Sequence, residues 1–240
     1  MMRCPGEHRP ALPVAYITGA SRGLGLAIAR SLEGRYALGL GYRTTAPPNL
    51  ADSLPLPGDV QEKATAETAV AELRKRFGRL DLFIANAGIV ARRLTPTTTL
   101  EDWNTVWNTN VTGIFYGLQA VEASLFESGG QVVVIGSRAG ICGAVGAAAY
   151  AAAKAALVGL VRSVAREWAG RARINLLLPP YMDTDMGLSD PRARERARSE
   201  HLMHCPGSIL DTVRVLVAII ETKTVTGQIF SSDGRITHLW

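Results

Sequence analysis

Short apolar runs alternate with amphipathic stretches along most of the chain. The apolar runs have the length of strands, and the stretches between them repeat apolar positions at helical spacing. Strands are expected at 14–17, 36–42, 80–85, 131–136, 173–178 and 228–231. Helices are expected at 26–32, from after Val60 to about Phe77, and at 100–127, 150–168 and 208–221. Strands that alternate with helices predict a single-domain α/β fold: a Rossmann-type, doubly wound parallel sheet of about seven strands with helices on both faces.

Three segments depart from this alternation. Residues 1–13 contain three prolines and no apolar run, so they are interpreted as a mobile N-terminal extension, not a signal peptide, before a domain at 14–240. Residues 44–58 contain four prolines and predict a loop with at most a brief third strand. Residues 187–206 are polar and rich in arginine; such a run is usually a solvated helix face, and the hypothesis is a mobile lid whose arginines 192–198 face outward or meet an acidic partner.

Composition and charge limit the possible functions. The chain has 240 residues, of which 47% are apolar, and a net charge of +5. No run of Lys and Arg interleaves with aromatic residues, so no nucleic-acid partner is expected. Lys154 interrupts one of the longest apolar stretches, so no membrane span is expected either. The excess of positive charge suits an acidic substrate or cofactor.

The cysteines and histidines show no complete metal or disulfide pattern. Cys4, Cys142 and Cys205 have no pairing pattern, which suits a reducing, cytoplasmic location. His201-x-x-His204-Cys205 has a metal-like spacing, but no further ligand cluster completes it. No metal site is therefore predicted.

A glycine-rich turn follows the first predicted strand and leads into the first helix: Thr18-Gly19-Ala20-Ser21-Arg22-Gly23-Leu24-Gly25. A turn in this position presents free backbone N–H groups and the positive end of a helix dipole to an anion. Its glycines allow a tight turn and a close approach of the backbone to a ligand. The turn therefore predicts a dinucleotide pyrophosphate site.

The second strand ends at Arg43, where a dinucleotide fold meets the adenosine ribose. An acidic residue there would bond the ribose 2′-OH, whereas an arginine accommodates a 2′-phosphate. No acid occurs between Gly34 and Ala51. Arg43, together with Arg22 in the glycine turn, therefore favours NADP(H). The alternative is that Arg43 is only a solvated strand end.

The stretch from Ser137 to Lys154 carries the candidate chemistry. Tyr150 and Lys154 are four apart on a predicted helix and share one face, where the ammonium is expected to favour the phenolate. Ser137 follows a strand, and its hydroxyl is expected to bond the oxygen that the tyrosine protonates. By itself Tyr-x-x-x-Lys is weak, because a half-buried ring beside a solvated lysine is the commoner explanation.

The predicted strand ends converge on one crevice. Ligands of such sheets bind beyond the carboxyl ends of the strands, and four such ends are followed by Gly19, Asn86, Ser137 and Pro179.

The 100–127 helix carries an apolar series at i, i+4 spacing, which predicts a core or a subunit interface. The series consists of Trp103, Trp107, Val111 and Phe115. Asn110 interrupts this segment as a polar residue that needs hydrogen-bond partners.

Together these motifs resemble the short-chain dehydrogenase/reductase family, from about Val14 to Asp233. The resemblance implies a nicotinamide cofactor held by the glycine turn (Gly19, Ser21, Arg22, Gly23, Leu24, Gly25), Arg43, Asp59, Val60, Asn86, Ala87, Gly88, Tyr150, Lys154, Pro179 and Thr184. It implies a catalytic tetrad of Asn110, Ser137, Tyr150 and Lys154. In that tetrad Lys154 also bonds the nicotinamide ribose, and Asn110 holds a water that reconnects Lys154 to solvent.

Within the family, Tyr-Ala-Ala-Ala-Lys and the preceding Gly-Ser are most similar to 3-oxoacyl-[acyl-carrier-protein] reductases. The resemblance implies an NADPH-dependent carbonyl reductase with Tyr150 as proton donor, and a homotetramer. A 3-oxoacyl thioester on a carrier protein or on CoA is one candidate substrate. Another small ketone or alcohol, a sugar or a steroid is the alternative, and a non-catalytic cofactor-binding protein is a third interpretation.

The chain also departs from the family pattern. Pro180 stands where glycine is common, and a proline removes an N–H beside the nicotinamide. The 44–58 segment lacks the usual helix. Glu127-Ser128-Gly129 stands where carrier-protein reductases tend to have a basic residue, whereas Arg171 is basic as that subgroup expects. One of these two positions therefore favours a carrier-protein substrate, and the other does not.

Overall fold

The structure is a computed structural model that describes residues 12–188 and 191–236. Their strands form one parallel sheet of seven strands in the order β3-β2-β1-β4-β5-β6-β7. The strands are β1 Val14–Ile17, β2 Ala37–Tyr42, β3 Ser53–Pro57, β4 Leu82–Ala85, β5 Gln131–Ile135, β6 Arg173–Leu178 and β7 Ile229–Ser231. β1 pairs with β2 on one side and with β4 on the other. The winding direction reverses at this point, which opens a crevice at the strand ends.

Helices cover both faces of the sheet. They are α1 Gly23–Leu32, α2 Lys63–Phe77, α3 Leu100–Trp107, α4 Gly113–Ser128, α5 Ala139–Cys142, α6 Ala148–Glu167, α7 Asp185–Leu188, α8 Pro191–Glu200 and α9 Ile209–Glu221. Each face has its own apolar core: β1 contributes Val14 and Tyr16 to one and Ala15 and Ile17 to the other. The single-domain α/β fold predicted from the sequence is confirmed. The extension predicted for residues 1–13 lies, up to residue 11, outside the described residues.

The brief third strand in the proline-rich segment is present as β3. It pairs with β2 so that Pro55 lies opposite Leu40 and Pro57 opposite Tyr42. Proline has no N–H to donate to a ladder, and β3 tolerates two of them because it is the edge strand. The structure has no helix between Tyr42 and Ser53, as the sequence analysis expected.

The helix predicted at 100–127 is wrong as one continuous element. A π-helical turn at Asn108–Thr112 separates α3 from α4. Within this turn the Nδ2 of Asn110 donates to the carbonyl of Val106, four residues earlier (2.8 Å). Turns of this kind inside α-helices often occur at functional sites.

The apolar series on α3 and α4 is not all core. Trp103 and Trp107 stack with their ring centroids 6.1 Å apart, yet Trp103 is 38% exposed and Phe115 is 44% exposed. Exposed aromatic rings at Trp103 and Phe115 suit a subunit interface. The homotetramer stays a prediction.

The helix α6 is long and apolar enough to meet a length-and-hydropathy criterion for a membrane span. Its apolar side packs inside the domain, where Ala153, Leu157 and Val161 are fully buried. Lys154 is buried on the same helix, and its ammonium bonds the end of β5. The helix is thus a core element of the described domain.

We predict opposite effects for two glycine-to-alanine changes in helices. A Cβ at Gly117 would lie 2.6 Å from Cζ of Phe83 on β4, whereas a Cβ at Gly159 meets no atom within 4 Å. Alanine favours the helix at both positions by up to about 1 kcal/mol. Overpacking costs about 1–3 kcal/mol, so Gly117→Ala should lower the free energy of unfolding and Gly159→Ala should raise it. Urea unfolding at one fixed protein concentration checks both, and a stabilised Gly117→Ala protein would contradict the close packing of α4 on β4.

Candidate active site

A cleft of about 1190 Å³ lies beyond the carboxyl ends of the strands. It is lined by all the predicted site residues except one: Gly19, Ser21, Arg22, Gly23, Leu24, Gly25, Arg43, Asp59, Val60, Asn86, Ala87, Gly88, Ser137, Tyr150, Lys154, Pro179 and Thr184. The exception is Asn110, which is fully buried. The crevice expected from the strand ends is therefore present, and the predicted residues meet in it.

The glycine turn between β1 and α1 has the backbone shape that binds a phosphate. Gly19 (φ +68°) and Gly23 (φ +56°) adopt the left-handed region, which favours glycine. A Cβ at Gly25 would lie 2.1 Å from the carbonyl oxygen of Gly19, so no side chain fits there. No side chain caps the N-terminus of α1, and its first turn contains no acid. The first N–H groups of a ten-residue helix thus remain available to a pyrophosphate.

Side-chain hydrogen bonds from β4 hold this turn in place. The amide Nδ2 of Asn86 donates to the carbonyls of Thr18 (2.9 Å) and Gly19 (3.1 Å). In return, the Thr18 hydroxyl accepts from the backbone N–H groups of Asn86 (3.0 Å) and Ala87 (3.1 Å). The ends of β1 and β4 therefore form one rigid unit, on which a dinucleotide would lie.

Ser137 and Tyr150 meet across the cleft from different elements. Ser137 follows β5, and its Oγ accepts the backbone N–H of Ala139 (3.2 Å). Tyr150 lies in the first turn of α6, and its phenol lies beside the Ser137 hydroxyl. Burial raises the pKa of the Tyr150 phenol, while the neighbouring Ser137 hydroxyl and the positive charge of Arg92 lower it. The phenol is thus protonated at neutral pH.

Lys154 is buried one turn after Tyr150. Its Nζ donates to the carbonyl of Ile135 at 2.7 Å and lies 5.8 Å from the centroid of the tyrosine ring. Burial lowers the pKa of Lys154 to about 8. The sequence analysis expected Lys154 to favour the phenolate, but in the protein without ligand the groups that lower the phenol pKa are Ser137 and Arg92. The lysine ammonium is directed to the strand end instead of the phenol oxygen.

Asn110 lies behind Lys154 in the π-helical turn. Its Nδ2 bridges two backbone carbonyls, those of Ile89 (2.9 Å) and Val106 (2.8 Å). Its Oδ1 is buried and has no hydrogen-bond partner among the described residues. A Cβ at Gly88 would lie 2.7 Å from that Oδ1 and 3.6 Å from Nζ of Lys154, so both polar atoms face the space that glycine leaves. A buried acceptor without a partner marks a place for water.

The part of the cleft beside β2 and the glycine turn carries two arginines that both contact carboxylates. Arg43 Nη1 lies 3.4 Å from Asp59 Oδ2, and Arg22 Nη1 lies 3.4 Å from Asp185 Oδ2. Asp59 Oδ1 also accepts the backbone N–H of Gln61 (3.0 Å), which fixes the carboxylate next to Val60. Both ion pairs are largely exposed. Pairs of this kind contribute about 0–1 kcal/mol, so a phosphate can replace the carboxylates at little cost.

The segment after β6 forms another wall of the cleft. Thr184 lies opposite the glycine turn, with its Cγ2 3.6 Å from a Cβ at Gly23. Its Oγ1 accepts the backbone N–H of Gly187 (3.3 Å) at the start of the predicted lid. Pro179 and Pro180 lie at the end of β6, and Pro180 is buried. Thr184 therefore faces the cleft at the entrance to the lid.

The segment predicted as a lid, 187–206, contains the end of α7, the whole of α8 and the turn after it; residues 189–190 lie outside the described part of the chain. Arg194 makes a two-pronged contact with Asp183 of the same chain (2.8 and 2.6 Å). The guanidinium of Arg92 donates to the carbonyl of Met186 (3.1 Å) across the cleft mouth. Arg196 and Glu200 line the cleft instead of facing outward. Movement of this lid stays a prediction.

The His201, His204 and Cys205 segment follows the lid. His201 is buried, and its Nδ1 accepts the backbone N–H of Met203 (3.1 Å). Within residues 12–188 and 191–236, no group of three or more His, Cys, Asp or Glu side chains is placed to hold a metal ion. The His201 side chain therefore stabilises the turn that follows α8.

The sequence analysis missed several residues that line the cleft: Thr44, Thr45, Arg92, Arg138, Arg196, Glu200 and Arg235. Ser21 Oγ donates to the carbonyl of Thr45, which ties the glycine turn to the loop after β2. Arg138 could have been found, since it directly follows Ser137. Arg235 is 98 positions beyond Ser137 and carries no motif, so only the folded chain reveals it.

Comparison with known proteins agrees with this geometry. The family model described as short chain dehydrogenase matches residues 13–195. A 3-oxoacyl-[acyl-carrier-protein] reductase of Salmonella typhimurium is 32% identical over 238 residues, which cover 92% of this chain and 96% of that protein. The protein of that name from Escherichia coli is 37% identical over 188 residues, covering 74% and 77%. An acetoacetyl-CoA reductase of Synechocystis is 30% identical over 227 residues, covering 92% and 95%.

A solved structure shares the whole fold. The dehydrogenase/reductase from Sinorhizobium meliloti superposes with a TM-score of 0.86 at 28% identity, covering 94% of this chain and 95% of the other. The glycine turn, the Ser137–Tyr150–Lys154 geometry and these matches lead to one conclusion: the chain belongs to the short-chain dehydrogenase/reductase family.

Proposed function

We propose that the chain is an NADPH-dependent carbonyl reductase in which Tyr150 gives a proton to the oxygen of a ketone. The observation that carries this proposal is that the Tyr150 phenol and the Ser137 hydroxyl lie side by side in the cleft, with Lys154 one turn further along the same helix as Tyr150. A bound nicotinamide would supply the hydride. The residues that would hold it fit: the glycine turn would face a pyrophosphate, Thr184 lies across from that turn, and Pro179 lines the same cleft.

Tyr150 and Ser137 have separate roles in this proposal. Because burial raises the pKa of the phenol, Tyr150 is protonated at neutral pH and can act as a general acid in the reduction direction. The Ser137 hydroxyl, fixed by the N–H of Ala139, donates to the same substrate oxygen and stabilises the negative charge that develops on it.

Lys154 and Asn110 would restore the proton after each reaction. The Lys154 ammonium lies behind the ring of Tyr150, and Oδ1 of Asn110 faces the same space beside Gly88. A water bound between them would pass a proton from solvent to the tyrosine. With cofactor present, Lys154 would also bond the nicotinamide ribose, as the family resemblance implies.

The substrate class follows from the relatives and stays part of the proposal. Two kinds of similar protein act, by their names, on 3-oxoacyl groups carried by acyl carrier protein and on acetoacetyl-CoA. A 3-oxoacyl thioester is therefore the first substrate to test, and another small ketone, a sugar or a steroid is the alternative. A cytoplasmic location and a homotetramer belong to the same proposal.

We predict that Tyr150→Phe abolishes most of the reductase activity and leaves cofactor binding intact. The change deletes only the hydroxyl, and a general acid contributes about 10²- to 10⁴-fold to the rate. Tyr36→Phe is the matched control, because Tyr36 precedes β2 at the opposite end of the sheet. The measurement is kcat/KM for acetoacetyl-CoA and a panel of ketones, with cofactor binding followed by fluorescence. Activity of Tyr150→Phe within tenfold of the parent would remove Tyr150 from its assigned role.

We predict that the buried Lys154 makes stability depend on pH in a defined direction. Its pKa is lowered to about 8 in the folded chain from an ordinary value of 10.5, so between these values the unfolded state binds the extra proton. The parent should therefore gain free energy of unfolding relative to Lys154→Met, by about 1.4 kcal/mol per pH unit from pH 8 to 10. Urea unfolding of both proteins at several pH values measures the difference. A difference that is constant across this range would mean that Lys154 titrates normally.

We predict that the parent prefers NADPH to NADH, because Arg22 and Arg43 can each bond a ribose 2′-phosphate. A hydrogen bond to a charged group contributes about 1.5–3 kcal/mol. At this exposed site we take the lower end, which gives a preference of about tenfold for one contact and about a hundredfold for two. Arg43→Asp should raise the KM for NADPH steeply and leave NADH use level or improved.

Kinetics with both cofactors and one ketone test this preference. Arg76→Asp is the matched control, since Arg76 lies on α2 outside the cleft lining and makes the same charge change. If the parent already favours NADH, Arg43 is only a solvated strand end.

A further inference from the structure

The wall of the cleft next to Ser137 carries a cluster of arginines that the proposed reaction does not use. Arg138 directly follows Ser137, and Arg196, Glu200 and Arg235 line the same cleft. In the described residues the whole cleft is lined by seven basic side chains and only three acidic ones. Arg22 and Arg43 suit the cofactor phosphates, and Lys154 belongs to the catalytic group. The remaining positive charge lies where the substrate would bind, and it favours an anionic substrate.

Two arginines of this cluster converge on one carboxylate oxygen. Glu200 Oε2 lies 3.4 Å from Nη1 of Arg138 and 3.6 Å from Nη1 of Arg235. Arg235 also makes a shorter, two-pronged contact with the fully buried carboxylate of Asp233 (2.6 Å). The charge of Arg235 is thus balanced without Glu200, and Glu200 neutralises mainly Arg138.

The contact between Arg138 and Glu200 leaves part of the guanidinium unsatisfied. Nε of Arg138 is buried and has no hydrogen-bond partner in the described part of the chain. The Nη1 contact to Glu200 is long for a charge-assisted hydrogen bond. Glu200 is half exposed and lies on α8, so a lid movement would carry it away. A carboxylate that approaches along the cleft in place of Glu200 could accept from Nη1 and Nη2, the end-on fork of the guanidinium, in the two-pronged geometry that arginine prefers.

We propose that the substrate is a ketone that carries a free carboxylate, and that Arg138 is the residue that selects it. In the structure the carboxylate of Glu200 stands in for that group. Binding of substrate exchanges the Glu200 carboxylate for the substrate carboxylate beside Ser137, and Glu200 moves outward with α8. This inference rests on the proposed reductase function and selects among its open substrates: it favours a keto acid over a neutral acyl chain.

The test compares keto acids with their neutral esters in the complex with the oxidised cofactor, where no hydride can be transferred. The probes are acetoacetate and ethyl acetoacetate, and levulinate and methyl levulinate, with binding measured by calorimetry. We expect the parent to bind at least one acid about tenfold more tightly than its ester, as one charge-assisted contact implies. Arg138→Met should weaken acid binding at least tenfold more than ester binding, and Arg138→Lys should restore part of the preference.

Two further variants separate a specific role from a structural one. Glu200→Gln removes the competing carboxylate and should strengthen acid binding relative to ester binding. Arg30→Met makes the same chemical change as Arg138→Met on the exposed side of α1 and should alter neither acid nor ester binding. The inference is overturned if the parent binds both esters as tightly as the acids, or if Arg138→Met weakens acid and ester equally.

Turnover then distinguishes this inference from the proposed function. The same four compounds and the neutral thioester acetoacetyl-N-acetylcysteamine are assayed with the reduced cofactor. Selective binding of acids without any reduction would retain the role of Arg138 and contradict the reductase function. Reduction of the esters and the thioester, without a preference for acids, would retain the reductase function and overturn the role of Arg138.

Discussion

The hydrogen bonds between Thr18 and the Asn86-Ala87 segment join the ends of β1 and β4 at the point where the sheet changes its winding direction. Parallel strands place their carboxyl ends on one edge, but they do not by themselves hold the loops that follow. Here four hydrogen bonds from one amide and one hydroxyl connect the glycine turn to the next strand. A dinucleotide would bind to a backbone that is already shaped for it, so little conformational entropy would be lost at that moment.

The candidate catalytic group of Ser137, Tyr150 and Lys154 depends on burial as much as on charge. A buried ammonium is unfavourable, and the structure holds Lys154 through a backbone carbonyl at the end of β5. Tyr150 responds in the opposite direction, because burial favours its neutral form. The pKa of Tyr150 is raised and that of Lys154 is lowered. With its pKa raised, the Tyr150 phenol keeps its proton at neutral pH. The same space explains why Gly88 is needed, since any side chain there would enter the region that Oδ1 of Asn110 and Nζ of Lys154 share.

The cleft is surrounded by contacts that ligands can replace. Arg43 with Asp59, Arg22 with Asp185 and Arg138 with Glu200 are all at least partly exposed ion pairs at 3.4 Å. Their geometry makes them weak, and in each pair the carboxylate lies where a ligand anion would add a stronger contact. Two of the three carboxylates, Asp185 and Glu200, belong to α7 and α8. An anion bound at Arg22 and an anion bound at Arg138 would therefore each replace a carboxylate of the same segment.

The sequence by itself determined the fold and most of the candidate catalytic group. Alternating strand and helix patterns, a glycine turn between the first pair, and Tyr150 four positions before Lys154 are local features, and local spacing sets which residues share a turn or a helix face. The break at Asn110 was not predictable from periodicity, because the apolar spacing continues through a turn in which the Asn110 side chain bonds a backbone carbonyl. The direction of the Tyr150 pKa shift was also missed, since desolvation is a property of everything that surrounds the ring. Only the tertiary structure brought Arg138, Glu200 and Arg235 together, because contacts between residues so distant in the chain arise from the packing of α8 and the segment after β7 beside the end of β5.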